Sequence, residues 1–362
     1  MTTTLTFDGR APGTQAAPAF RPKIADDGAL LRAAAEIGRD LSAPRPAIYW
    51  ADFLASVTIG YAGLAGAIAA PSLALGLAAA LVAVLALYRA ESFVHELTHV
   101  KHSALPGFRA AWNAFIGVPL LVPSFMYEGV HNLHHAKTRY GTADDPEYLP
   151  LALMKPWAVP AFVAVAALAP IGLLIRYGLL APLSLLSARL RAAVVARYSG
   201  LVINPDFRRR PPEGEAAIRW RRQEIAASLW AITLIAGVAA GVIPLPAFLT
   251  FLGIAAAVAV LNQVRTLVAH LWENDGEAMS VTAQYLDSVN VPPPALLPAL
   301  WAPVGLRYHA LHHLLPSLPY HALGTAHRRL VAMLGTDSPY HRANHRSLPG
   351  LIRRLIGSTL RH

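Results

Sequence analysis

The sequence contains no cysteine. This absence excludes disulfide bonds, zinc–thiolate sites and cysteine-ligated iron–sulfur clusters from the chain itself. Any metal in the protein must therefore be held by nitrogen or oxygen ligands. The lack of cysteine gives no direct information about the compartment in which the protein works.

Charged residues are also scarce: they make up 14% of the 362 residues, whereas hydrophobic residues make up 55%. A soluble globular domain usually carries about 25% charged residues. Four long apolar runs account for the difference, and each is close to the ~20 residues that cross a bilayer as a helix. The runs cover Ile48–Ala70, Ser72–Tyr88, Glu224–Ala247 and Phe248–Val264. Core helices of a soluble domain are a poor alternative, because four such runs are too many for one chain.

The net charge is +10, and the basic residues are unevenly placed. The turns near 70–72 and 242–246, each inside a pair of runs, carry no charge. By the positive-inside rule the basic segments are cytoplasmic and the two turns face outward, so we expect an inner-membrane protein with a cytoplasmic active site. Arginines that flank spanning helices anchor them at the membrane surface, which disfavours nucleic-acid binding. One basic segment contains Arg189, Arg191, Arg197, Arg208, Arg209, Arg210, Arg219, Arg221 and Arg222.

The runs predict an all-α integral membrane protein with four transmembrane helices in two hairpins. Every dense histidine cluster follows the second or the fourth run, so a cytoplasmic helical cap is expected to carry the clusters. We divide the chain into a cytoplasmic N-terminal lead-in (1–46), a membrane domain (47–335) and a polar, basic C-terminal tail (336–362).

Two further apolar stretches are harder to assign. Ala114–Phe125 is too short to cross and is interrupted by Pro119 and Pro123, which favours a re-entrant or interfacial segment. Trp157–Leu186 is long enough to span but is broken by prolines and by Arg176. An interfacial helix pair is the favoured prediction for this second stretch, because it keeps all histidine clusters on one side.

The histidine clusters are the strongest functional signal. His95 and His99 are four residues apart at the end of an apolar run, so they project from one face of a helix. The segments 131–135 and 309–313 share the pattern HxxHH. Imidazoles near a bilayer are costly to bury without partners, and metal coordination satisfies their lone pairs. Eight nitrogen ligands exceed the needs of one four-coordinate zinc ion and indicate two metals, although ligand type alone does not choose among iron, copper, nickel and zinc.

Two other classes of protein deserve comparison. Residues 95–99 match HExxH, the zinc-hydrolase pattern in which Glu96 would be a general base. An intramembrane metalloprotease, however, leaves both HxxHH clusters without a role. A metal-binding or transport protein would usually carry polar or charged residues inside its spanning helices, and these runs have very few.

The three clusters together resemble the membrane fatty acid desaturase superfamily, whose members carry a first histidine box followed by two HxxHH boxes. The resemblance covers the chain from about residue 48 onward and extends to residues 140–142, 145–147 and 265–270. It implies two iron ions (Fe2+/Fe3+) and O2 as co-substrate. The implied ligands are His95, His99, His131, His134, His135, His270, His309, His312 and His313.

His270 lies outside the boxes, where the family supplies an extra ligand, and interface anchoring is the alternative for it. His102 shares a helix face with the first box and could substitute for a ligand, but it is left out because the box has two histidines. His321 and His327 are expected near the site or at the surface, and the remaining three in a solvated tail. Carboxylates that could orient ligand imidazoles are Glu96, Glu128, Asp144, Asp145, Glu147 and Asp287.

By this resemblance, the expected reaction is O2-dependent desaturation of a fatty acyl chain, lipid-linked or as a thioester. Hydroxylation or ketolation of a lipid, carotenoid or sterol on the same scaffold is the alternative, and nothing in the boxes decides between them. The reaction needs two external electrons. Because the chain cannot carry a ferredoxin cluster and shows no haem-binding motif, a separate ferredoxin-like or cytochrome donor is implied.

Overall fold

The computed structural model describes residues 23–361, and over that range the chain is helical, with no β-strand. Two five-residue π-helical turns, Asn113–Gly117 and Arg176–Leu180, join onto α-helices. The α-helices are α1 (Gly28–Leu41), α2 (Pro46–Ala69), α3 (Leu73–His99), α4 (Phe108–Trp112), α5 (His131–His134), α6 (Ala158–Ile175), α7 (Ala181–Ser184), α8 (Ala188–Tyr198), α9 (Gly214–Ala239), α10 (Leu245–Leu267), α11 (Val281–Asp287), α12 (Pro298–Trp301), α13 (His309–Leu314), α14 (Tyr320–Met333) and α15 (Leu348–Thr359).

Within residues 23–361, four helical segments are long and apolar enough to cross a membrane: α2, α3, Ala158–Ser184 and α10. The first two pack against each other as an antiparallel pair. Glycines allow the close approach, since a Cβ on Gly63 would lie 2.8 Å from the Ala83 backbone nitrogen. Within this pair, Asp52 and Arg89 form a bidentate ion pair with both N–O distances at 2.6 Å, which satisfies two charges inside apolar helices.

The third candidate span corrects the sequence-based prediction. The predicted run Glu224–Ala247 lies mostly in α9, which is not among the four candidates because its first half carries five charged residues. Instead, α6, the π-helical turn and α7 form the continuous segment Ala158–Ser184, where an interfacial helix pair was expected. The predicted second hairpin is also not a tightly packed pair, because α10 packs mainly along α6 and α3.

The expected helix breakers in this segment are accommodated locally. Pro160 is the third residue of α6, where an amide hydrogen has no helical acceptor anyway. Pro182 is the second residue of α7, in the first turn after the π-helical turn. The side chain of Arg176 is buried and donates to Glu224 Oε1 of α9 at 2.5 Å and to Ser199 Oγ at 3.0 Å. The charge of Arg176 is therefore paired with that of Glu224. The two residues are far apart in the sequence, so the hydropathy pattern does not show this contact.

The short apolar stretch 114–125 does not form a spanning helix. The chain reverses after the π-helical turn, with Leu121 at φ +60°. The buried side chain of Asn113 closes the reversal, because its Oδ1 accepts from Ser124 N at 2.8 Å and its Nδ2 donates to Ser124 Oγ at 2.9 Å.

Both ends of the described chain pack onto the rest of the protein. The apolar face of α1 joins the core cluster of α14, with Leu30 and Ile37 buried. At the other end, Tyr340 is buried in the same cluster and Leu355 of α15 packs in another. Residues 1–22 and His362 lie outside the described residues.

Candidate metal centre

Four separate elements bring the nine predicted ligand histidines together. His95 and His99 occupy the last turn and a half of α3, and the second box forms α5 with His135 at its end. The third box lies on α13. His270 follows α10 by three residues and is held by backbone pairing, since Val289 N donates to Ala269 O at 2.9 Å and Leu271 N to Asp287 O at 2.7 Å.

The nine side chains form two groups, and in each group the candidate ligand atoms lie within 4.8 Å of one another. The groups are adjacent, because the rings of His135 and His313 stack with centroids 4.3 Å apart. The first group contains His95, His99, His131, His135 and His312, and the second contains His134, His270, His309 and His313.

The Nε2 atoms converge in a way that suits metal ions. His135 Nε2 lies 3.0 Å from His131 Nε2 and 3.1 Å from His312 Nε2, and a neutral ring has a single N–H to share between such neighbours. His309 Nε2 repeats the pattern, 3.0 Å from His270 Nε2 and 3.2 Å from His313 Nε2. Both nitrogens of the buried His95 lack a hydrogen-bond partner among the described residues. Two transition-metal ions would satisfy these lone pairs.

Burial also sets the protonation state that metal binding requires. It lowers the pKa of His270, His309 and His313 well below the ordinary histidine value. These rings are therefore neutral at pH 7, and each keeps one lone pair for a metal.

Carboxylates and a tyrosine orient several of the imidazoles from outside the cluster. His134 Nδ1 lies 2.9 and 3.0 Å from the oxygens of the fully buried Asp145. His131 Nδ1 lies 3.1 Å from both oxygens of Glu147. An Nδ1–H held in this way directs the Nε2 lone pair toward the metal. The contacts agree with the predicted role of these two carboxylates.

Tyr140 links His270 to Asp287 through hydrogen bonds. The Tyr140 hydroxyl donates to Asp287 Oδ2 at 2.8 Å and lies 2.8 Å from His270 Nδ1, so it can accept from that ring. Asp287 therefore acts through a tyrosine and not by direct contact. Ser288 Oγ, 3.2 Å from His270 Nδ1, and Tyr127 Oη, 2.8 Å from His131 Nδ1, were not identified from sequence. Tyr127 precedes His131 by four residues, a spacing that could have indicated the contact.

Other predicted candidates lie away from the cluster. Glu128 pairs with Arg109, and Asp144 is exposed to solvent. His102 is also exposed and outside both groups. His327 is buried elsewhere, with Nδ1 2.7 Å from the Tyr340 hydroxyl. The tail histidines His341 and His345 are partly buried, whereas solvated side chains were expected.

The position of Glu96 separates the two enzyme classes that residues 95–99 suggest. Its buried carboxylate accepts from the Tyr49 hydroxyl and from Tyr320 N at 3.1 Å, and it approaches His95 Nδ1 only to 3.8 Å. We expect Glu96→Gln to keep the full iron content and appreciable oxidative activity, because the amide oxygen can still accept a hydrogen bond. A zinc protease would lose its general base, so loss of all activity with metal retained would support that class. Metal analysis and turnover assays on the purified variant distinguish these results.

Two cavities adjoin the cluster. The apolar cavity, of about 670 Å³, lies between α3, α6 and α10 and reaches His95. The basic cavity, of about 690 Å³, is lined by Leu97, Asn132 and Leu133 from the first two boxes. It also carries six arginines: Arg109, Arg139, Arg208, Arg209, Arg210 and Arg219.

The helical fold and the histidine boxes find a direct match among known proteins. The chain belongs to the fatty acid desaturase family, whose sequence model matches residues 70–345. The resemblance inferred from the three boxes is thereby confirmed. Within that class, the chain is 52% identical over 337 residues to the ceramide hydroxylase of Caulobacter vibrioides (strain NA1000 / CB15N), an alignment that covers 92% of this chain and 94% of the relative. These similarities support an oxidoreductase and not a protease or a metal transporter.

Proposed function

We propose that the protein hydroxylates a ceramide-type lipid at two iron ions held by the nine histidines. The observation that carries the proposal is the convergence of two histidine groups beside an apolar cavity large enough for part of a lipid chain. The sequence alone favours desaturation, with hydroxylation as the alternative. The named activity of a relative that is 52% identical favours the alternative.

The reaction consumes one O2, two electrons and two protons for each C–H bond. That bond and the O–O bond break, a C–O bond forms, and the second oxygen atom leaves as water. Bound iron would supply the activation of O2. The protein's own groups hold the metals, orient the imidazoles through Asp145 and Glu147, and place the lipid beside His95 in surroundings that exclude water.

Product mass tests the proposal directly. Full-length protein incubated with ceramide, O2 and a reducing system is expected to yield a product heavier by one oxygen atom. A product lighter by two hydrogen atoms would favour desaturation, which the family match keeps as the second candidate. A reaction under 18O2 provides the control, because the label enters a hydroxylated product and is absent from an alkene.

The basic cavity supports a proposal about the electron donor. Six arginines line this cavity beside residues of the first two boxes, and they would attract an acidic ferredoxin-like protein or cytochrome. Positive charge at this face also supports a cytoplasmic active site in the inner membrane.

The rate of reduction by an acidic ferredoxin should fall about tenfold or more between about 0.05 and 0.5 M salt. Arg219→Glu should slow the reaction at low salt, whereas Arg353→Glu, outside the cavity on α15, should leave it unchanged. Stopped-flow reduction measures both effects. Reduction by dithionite, a small molecule that needs no protein docking surface, is the control for the metal site. A salt-independent rate would rule out electrostatic docking here.

A further inference from the structure

Polarity rises toward the metal centre along two walls of the apolar cavity. On α10 the lining residues change from Ala255, Val258 and Ala259 to Gln263 and Arg265. On α3 the cavity is lined by Glu91 and Ser92 just before His95. The α6 wall, which includes Phe162 and Val165, stays apolar. The cavity therefore has one polar end beside the first metal ligand and one apolar end along α6.

Most charged side chains in the candidate spans have a partner within the protein. Asp52 binds Arg89, Arg176 binds Glu224, and Glu96 accepts from Tyr49 and Tyr320. The remaining two are Glu91 and Arg265.

Glu91 and Arg265 form no ion pair among the described residues. Glu91 Oε2, Gln263 Nε2 and Arg265 Nε are buried without a hydrogen-bond partner there. The Arg265 guanidinium has neutral polar neighbours, Asn262 of its own helix at 3.5 Å and the Tyr88 hydroxyl. Unpaired charges in apolar surroundings are costly. Such groups persist where a ligand supplies the missing partners.

We propose that Glu91, Gln263 and Arg265 bind the amide and hydroxyl groups of the lipid substrate and so select a ceramide over a lipid of equal chain length. This inference rests on the proposed function. The carboxylate accepts from an N–H or O–H group, the guanidinium donates to the amide carbonyl, and the glutamine side chain can do either. We call these three residues the polar cluster.

The polar cluster also restricts which carbon is oxidised. Glu91 precedes His95 by four residues, just over one helical turn, on the same face of α3, which is an axial rise of about 6 Å. This distance corresponds to a few C–C bonds. With the amide held by the polar cluster and the acyl chain lying along α6, the carbon next to the metals is within a few bonds of the amide. Hydroxylation is therefore directed to the headgroup end of the lipid and not to the middle of the chain.

Variants of the polar cluster test the assignment through turnover. Glu91→Leu and Gln263→Leu should each raise the KM for ceramide about tenfold, since each removes a hydrogen bond from a buried site. Both should yield a mixture of positional isomers in place of one product, with iron content unchanged. Glu91→Gln keeps an acceptor oxygen and should restore most of the affinity. Thr250→Val, a polar-to-apolar change on α10 outside the cavity, serves as the matched control.

A binding assay tests the same assignment without turnover. Fluorescently labelled ceramide should bind the full-length wild-type protein about tenfold more tightly than a labelled diacylglycerol of equal chain lengths, and both leucine variants should lose this preference. Equal affinity for the two lipids in the wild type, or an unchanged preference and a single isomer in the variants, would overturn the assignment. If the wild type prefers ceramide but does not oxidise it, the proposed function fails while the polar cluster keeps its role.

Discussion

Replacing His134 or His312 by alanine is expected to abolish turnover and lower the iron content while leaving membrane insertion intact. The two residues belong to different groups, so each variant tests one metal position. His134→Ala leaves three histidines in its group, whereas His312→Ala leaves four. Because fewer ligands hold a metal more weakly, we expect the larger loss of iron in His134→Ala.

Iron analysis and turnover on purified, membrane-inserted protein measure these effects. His341→Ala is the matched control, because among the described residues that side chain hydrogen-bonds only to Gly335 O, and it lies in neither group. Full activity in either ligand variant would remove that histidine from the site. Equal iron loss from both would mean that the two metals bind as one cooperative unit.

Asp145→Asn is expected to reduce iron affinity or activity by about 10–100-fold, the usual effect of losing the partner of a ligand histidine. The carboxylate is fully buried and lies 2.9 Å from His134 Nδ1, and it also accepts from Gly141 N at 2.9 Å. The amide keeps the shape of the side chain but offers one acceptor in place of two. His134 would then lose its fixed orientation.

Asp144→Asn provides an adjacent control of the same chemistry, because Asp144 is exposed to solvent. Chelator competition gives the iron affinity of both variants, and steady-state assays give their turnover. A wild-type affinity in Asp145→Asn would mean that the carboxylate serves the loop backbone alone. A matching loss in Asp144→Asn would point to a general effect of loop charge.

Local spacing made the composition of the candidate site predictable from the sequence. Residues three or four apart on a helix share a face, so the spacing within each box predicts that its histidine side chains point to a common centre. That His270 joins the second group could be expected only from the family resemblance, since no neighbouring histidine marks it. The division of the nine side chains into groups of five and four was not predictable, because it depends on how four elements pack.

The membrane helices show where local patterns fail. Arg176 and three prolines argued against a helix at 158–184, but the partner that neutralises Arg176 is Glu224. That same glutamate belongs to the charged half of α9, which leaves α9 short of a spanning helix. A hydropathy profile evaluates 158–184 and α9 separately, whereas the Arg176–Glu224 ion pair makes the burial of each charge depend on the other segment. The packing of α1 in the cluster that includes Tyr340, and of Leu355 of α15 in the cluster that includes Tyr148, likewise depends on distant contacts.

The metal content of the purified full-length protein is the most direct test of the two-metal site. Two iron ions per chain, without zinc, is the expected result, since nine imidazoles in two adjacent groups supply ligands for two ions. One metal ion per chain, or zinc in place of iron in an active preparation, would contradict it.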